Sequence, residues 1–202
     1  MQIKSEPTRL SPLHNQYQIL EASLDSRAGW SIPEVYTNLE EETAALQERA
    51  GLVDISAKGK LTLKGVKADG IITARFGRLP TDQGDLIEDI AGQILVAKLT
   101  PDEFLILTPP GGEIELAAAL ETENAPHYAF VSVIDQTSGL VGLLISGPKS
   151  SGVMSKLCAL DFNPTSFSDL HVAQSSFAKV RTTIIRHDRG DIPAFELYAD
   201  RS

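Results

Sequence analysis

Apolar and polar residues alternate along Gly59-Lys60-Leu61-Thr62-Leu63-Lys64-Gly65, a period of two that predicts a strand with glycine at both ends. Upstream, residues 39–49 read as a helix. Asn38 can cap it, Glu40, Glu41 and Glu42 suit its positive end, Ala44, Ala45 and Leu46 supply an apolar stripe, and Gly51 stops it. Residues 93–98 and 103–107 read as two strands joined by the turn residues Leu99-Thr100-Pro101-Asp102. Pro109-Pro110-Gly111-Gly112 breaks the chain, and residues 113–120 read as a helix. Strands are expected at 128–134 and 140–146. Gly147-Pro148 then opens a helix reaching to about residue 160. Three more strands are expected at 171–177, 180–186 and 194–199. Helices alternate with strands, but the close hairpins favour antiparallel pairing. The expected fold class is α+β with mixed, mainly antiparallel sheets.

At 202 residues, with 42% hydrophobic and 22% charged residues, the chain can bury a substantial core. Its net charge of -9 argues against nucleic-acid binding, which needs a basic stripe to displace counterions. The longest apolar run, residues 140–145, is too short to span a membrane. Cys158 has no second cysteine to pair with and reads as a small buried hydrophobe, which suits a reducing, cytoplasmic setting. There is no tandem repeat and no low-complexity tract.

His14, His127, His171 and His187 are too far from one another, and from Cys158, to read as a metal site, so no metal is expected. Glycine patterns that cradle phosphates are absent. The densest carboxylate cluster is Asp82, Asp85, Glu88 and Asp89 around Gly84. It can hold a substrate amine, or simply cap a hairpin. Asp54 and Ser56 can form a side-chain turn into the next strand. Trp30 and Tyr36 flank Pro33, and can stack on a planar ring or lie as a lid over the core.

Ala28-Gly29-Trp30-Ser31-Ile32-Pro33, then Glu40-Glu41-Glu42, then Arg49-Ala50-Gly51-Leu52-Val53-Asp54-Ile55-Ser56, with Ser11-Pro12-Leu13 before them, resemble the opening of the glycine-cleavage T-protein (aminomethyltransferase) superfamily. Asp135-Gln136-Thr137-Ser138-Gly139-Leu140 with Gly147-Pro148, and Phe195-Glu196-Leu197, extend the resemblance over nearly the whole chain. It implies a single folate-binding module across residues 1–202, with tetrahydrofolate as cofactor and an amine-derived one-carbon unit as substrate. The carboxy-terminal barrel of a full T-protein is not expected, since the chain stops at Ser202. By the same resemblance, the acid that orients the folate nitrogen or the amine falls at Asp89, with Glu88 the alternative, and Asp54, Ser56, Arg186 and Glu196 are expected to hold the cofactor.

The chain departs from the family pattern at Asp85, where a second glycine is usual, in a shortened loop at 72–83, at Thr108-Pro109 and at Ile192, which replaces a folate-binding glutamate. Leu99-Thr100-Pro101-Asp102-Glu103-Phe104-Leu105-Ile106-Leu107 instead resembles the small gamma subunit of heterotetrameric sarcosine oxidase. So do Leu160-Asp161-Phe162, Pro164, Phe167, Ala173-Gln174 and Lys179. That resemblance implies an alternative role: a non-catalytic assembly subunit in a hetero-oligomer with a flavin-dependent amine oxidase or carrier protein.

Overall fold

A computed structural model of the chain describes residues 8–89, 91, 93–124 and 130–202. His127 and the start of the strand expected at 128 lie outside them. The amino-terminal part forms β1 (Arg9–Leu10), α1 (His14–Ile19), β2 (Ser23–Arg27), β3 (Trp30–Val35) and α2 (Leu39–Glu48). Next come β4 (Gly51–Asp54), β5 (Gly59–Gly65), α3 (Ala68–Phe76), β6 (Leu86–Glu88), β7 (Leu95–Thr100), β8 (Glu103–Thr108) and α4 (Gly112–Asn124). The remainder is β9 (Val131–Asp135), β10 (Leu140–Ser146), α5 (Ser150–Leu157), β11 (His171–Phe177), β12 (Val180–Arg186) and β13 (Ala194–Asp200). The α+β class and the antiparallel pairing are as the patterning predicts; the one parallel pair among these strands is β1 with β3.

Two five-stranded sheets carry the molecule, in the orders β6-β7-β8-β5-β9 and β11-β12-β13-β10-β4. They pack face to face through Leu95, Ala97, Leu105 and Leu107 of the first and Val172, Ile185 and Tyr198 of the second. The outer face of the first sheet is covered by α3 and α4, with Leu61, Phe104 and Ile106 meeting Ile72, Leu116 and Leu120. The outer face of the second is covered by α5 and the segment after it, where Phe162 makes edge-to-face contacts with Phe167 and Phe195. Strands buried on both faces explain why β8 reads Phe-Leu-Ile-Leu rather than alternating.

The two sheets are built alike. Each has a meander of three strands whose last member pairs with the strand before the helix, giving β6-β7-β8-β5 and β11-β12-β13-β10. The strand that precedes each set crosses to the other sheet: β4 pairs with β10 and β9 with β5. The crossings match in detail. Asp54 Oδ1 accepts the Ser56 N–H at 2.6 Å, and Asp135 Oδ1 accepts the Thr137 N–H at 2.8 Å. The Ser56 hydroxyl accepts the Gly142 N–H, and the Thr137 hydroxyl the Lys60 N–H. The strand ends match too. Gly65 and Gly147 have φ of 144° and 127°, and a Cβ on either would strike backbone of the crossing segment.

α2 begins as expected, with the Asn38 side chain accepting the Glu41 N–H at 2.9 Å. Its apolar stripe is only half-buried, however, and no residue of the helix is buried. α3 was not legible: its N-terminus has no side-chain cap and it carries Gly70 inside. The helix expected to reach residue 160 ends at Leu157, and Cys158 caps it in extended conformation, buried. No helix among the described residues is long and apolar enough to cross a membrane.

Candidate functional site

Glu196 is the most deeply placed acid of the inter-sheet layer. Alternation along β13 turns Phe195 and Leu197 towards α5 and leaves Glu196 and Tyr198 facing the other sheet. Glu196 sits opposite Leu144 of the neighbouring β10; the matching residue in the other half, opposite Thr62 of β5, is Leu105. A carboxylate therefore stands where the sister sheet has a leucine. It is 1% exposed, and burying it uncompensated would be costly. Lys58 Nζ donates to both of its oxygens at 2.9 and 2.8 Å, the Tyr198 hydroxyl donates at 2.5 Å, and Arg189 Nη2 at 3.3 Å. Burial pushes the carboxyl up, but the Lys58 charge and these donors outweigh it and hold it below the ordinary glutamate value. Burial and the neighbouring Glu196 push the Tyr198 phenol well up, so it remains a donor. A cleft of about 160 Å³ opens beyond Tyr198, lined also by Thr62, Gln136, Gln174 and Arg181.

The turn after β4 is a second buried cluster. Asp54 accepts from the Ser11 hydroxyl at 2.5 Å, from the Tyr17 hydroxyl and from the Ser56 N–H, so its carboxylate ties α1 to β4. Burial first, and then the bond to Asp54, push the Tyr17 phenol far above its usual value. Next to it, Lys60 is fully buried and donates to the carbonyls of Ser56 and Lys58 at 2.7 and 2.8 Å. Burial pulls its ammonium down to about 8, against the opposing charges of Asp54, Glu113 and Asp135. Trp30 lies over it, with Nζ 5.9 Å from the ring centroid, and packs with Ile32 and Ala57 as a lid on the core.

The acids of the turn before β7 point different ways. Asp89 Oδ1 accepts the N–H groups of Gln93 and Ile94 at 2.7 and 2.8 Å, closing its own hairpin. Glu88 reaches across to the second half, where Oε1 lies 2.7 Å from His187 Nε2, and its side chain is 34% exposed. Arg186 is buried. It forks onto Asp188, donates to the Phe167 carbonyl at 2.7 Å and stacks 5.7 Å from the Phe195 ring. The fold thus brings Asp54 and Ser56 together, while Arg186, Glu196 and Asp89 lie in separate networks. Sequence reading missed Lys58, Tyr198, Arg189, Tyr17 and His187. The one available signal was Glu196 itself, an acid flanked by apolar residues inside a strand, which demands a partner without naming it.

Residues 13–202 match the family described as the GCVT N-terminal domain. The chain belongs to that family. Among curated relatives, this GCVT chain is 27% identical over 161 residues to the aminomethyltransferase of Thermotoga maritima, covering 73% of this chain and 43% of the relative. It is 23% identical over 203 residues to a probable aminomethyltransferase of Haloarcula marismortui, covering 94% and 55%. The chain spans about half the length of the curated relatives it matches. Two solved structures share the GCVT fold. One is the glycine cleavage system aminomethyltransferase T of Bartonella henselae, with TM-score 0.78, 18% identity, and 96% of this chain and 54% of that one covered. The other is a chain of the heterotetrameric sarcosine oxidase of Corynebacterium sp. U-96, with TM-score 0.69, 19% identity, and 95% and 86% covered.

Proposed function

We propose that this GCVT-family chain acts as a non-catalytic assembly subunit that packs against a larger flavin-dependent amine oxidase subunit. The observation that carries the reading is the closure of Glu196. A folate ring would need a carboxylate with open oxygens to accept its amino and ring N–H groups. Glu196 already receives four hydrogen bonds from Lys58, Tyr198 and Arg189. Asp54 receives three, from Ser11, Tyr17 and Ser56, Asp89 serves its own turn, and Arg186 is spent on Asp188 and Phe167. Asp54, Arg186 and Glu196, three of the residues expected to hold tetrahydrofolate, thus have their polar atoms engaged within the chain, which supports the assembly reading. The same fold occurs in a chain of heterotetrameric sarcosine oxidase, a multi-subunit assembly.

Co-expression with a flavin-dependent amine oxidase subunit should yield a stoichiometric complex on native mass measurement. A monomer that by itself transfers a one-carbon unit to tetrahydrofolate contradicts the reading. A second reading, tetrahydrofolate-dependent aminomethyl transfer, draws on Glu88, the acid of the matched motif that stays part-exposed and is braced by His187. It requires that Glu88→Gln abolish transfer without changing the melting temperature.

A further inference from the structure

β4 has a free edge. In its sheet it lies outermost, with β10 on one side and no strand among the described residues on the other. The Ile55 N–H donates to the Gly142 carbonyl, so the alternation of an antiparallel ladder turns Val53 and Gly51 towards β10 as well. Leu52, between them, presents its N–H and C=O outward. Leu52 is 59% exposed and Val53 39%. Natural proteins blunt such edges with charge, proline or cover, and this strand, Gly-Leu-Val-Asp, brings only a buried aspartate.

Beside the edge runs a groove of about 280 Å³. Pro33 and Tyr36 form one wall, and Ala45 and Leu46 of α2 the other. Leu46 is held against the strand, since a Cβ on Gly51 would lie 2.6 Å from it. This accounts for α2, a capped helix whose apolar residues are left half-buried. The charged groups at the groove are acidic: Glu34, Glu42 and Asp54 line it, no Lys or Arg among the described residues does, and Glu40 and Glu41 stand exposed on the first turn of α2.

We infer that the β4 edge and its groove receive an extended strand of another protein, alternating apolar and basic residues. The inference rests on the assembly reading and names its surface. Strand addition supplies main-chain hydrogen bonds at Leu52 and seats alternate side chains in a groove. The acids select lysine or arginine for the remaining positions. They also disfavour a second copy of this chain, which would bring Glu34 and the α2 acids against their own counterparts.

The test uses the full chain and an acetylated peptide of about eight residues alternating Val and Lys, with a Val–Glu peptide as control. Amide exchange at Leu52 is followed by NMR. The Val–Lys peptide should slow it about tenfold and leave β13 amides unchanged. The Val–Glu peptide should not slow it, and Leu52→Lys should remove the effect without lowering the melting temperature. Equal slowing by both peptides, or none, overturns the proposal. So does a concentration-dependent dimer that Leu52→Lys dissolves, because the occupant would then be a second copy. Slowing at Leu52 in a chain that also binds tetrahydrofolate would retain the docking edge and overturn the non-catalytic reading alone.

Discussion

Lys58 Nζ donates to both carboxylate oxygens of Glu196, at 2.9 and 2.8 Å, across 138 positions of sequence. The pair joins the turn before β5 to the centre of β13, and so locks the two sheets across their shared layer. Breaking one side of such a pair leaves an uncompensated charge, whereas replacing both sides with apolar residues does not. Lys58→Ala should cost about 3 kcal/mol or more in urea unfolding. Lys58→Leu with Glu196→Leu should recover part of that loss, since Leu105 fills the matching place in the other sheet, less about 1–3 kcal/mol for the Tyr198 hydroxyl left without its acceptor. A double variant as unstable as the single one would contradict this account of the pair.

The same pair sets an acid limit. The folded Glu196 carboxyl lies below its ordinary value, so its contribution is full above the unfolded value of about 4.3 and fades as pH falls through the lower folded value. Urea midpoints between about pH 6 and 3 should therefore fall more steeply for the parent chain than for Glu196→Gln.

Lys60 works in the opposite range. With its folded ammonium near 8 and the unfolded one near 10.4, the unfolded chain binds more protons between those values. Stability contributed by this group should rise as pH increases from about 8 to 10. Lys60→Met should lack that rise. An identical pH profile for the two proteins would show that Lys60 titrates normally.

Tyr17 and Ser11 both donate to Asp54, which also holds the Ser56 N–H. Tyr17→Phe keeps the ring and deletes one donor to a buried carboxylate. It should cost about 1–3 kcal/mol, read from the urea midpoint at constant m-value.

Asp89 separates a structural from a catalytic role. Its Oδ1 caps two backbone N–H groups, which Ala cannot do and Asn can. Asp89→Ala should lose about 1–2 kcal/mol and Asp89→Asn clearly less. A stable Asp89→Asn chain that had lost a measurable transfer activity would favour the catalytic assignment.

Most of the sheet strands were legible because their signals are local. β10, β11 and β12 fall where period and turn residues put them, and β5 is bounded by its own glycines. β4 was hidden because Gly51 reads equally as a helix stop, and only its pairing with β10 makes the segment a strand. The likeness of the two halves was hidden as well. It rests on a few positions, Asp54 with Asp135, Ser56 with Thr137 and Gly65 with Gly147, among side chains that otherwise differ. Asp54 and Glu196 could be singled out along the chain. Their partners Tyr17 and Lys58 come from 37 and 138 positions away, and no local pattern carries that information.

If the acids expected to hold folate are closed, tetrahydrofolate cannot stabilise the folded chain. Thermal unfolding of the isolated chain with and without saturating tetrahydrofolate tests it most directly. A ligand at a hundred times its dissociation constant stabilises by about 2.7 kcal/mol, about 5–10 °C for a chain of this size. The expected shift is no more than about 1 °C at any concentration. A saturable rise of several degrees, lost in Glu196→Gln, would contradict it.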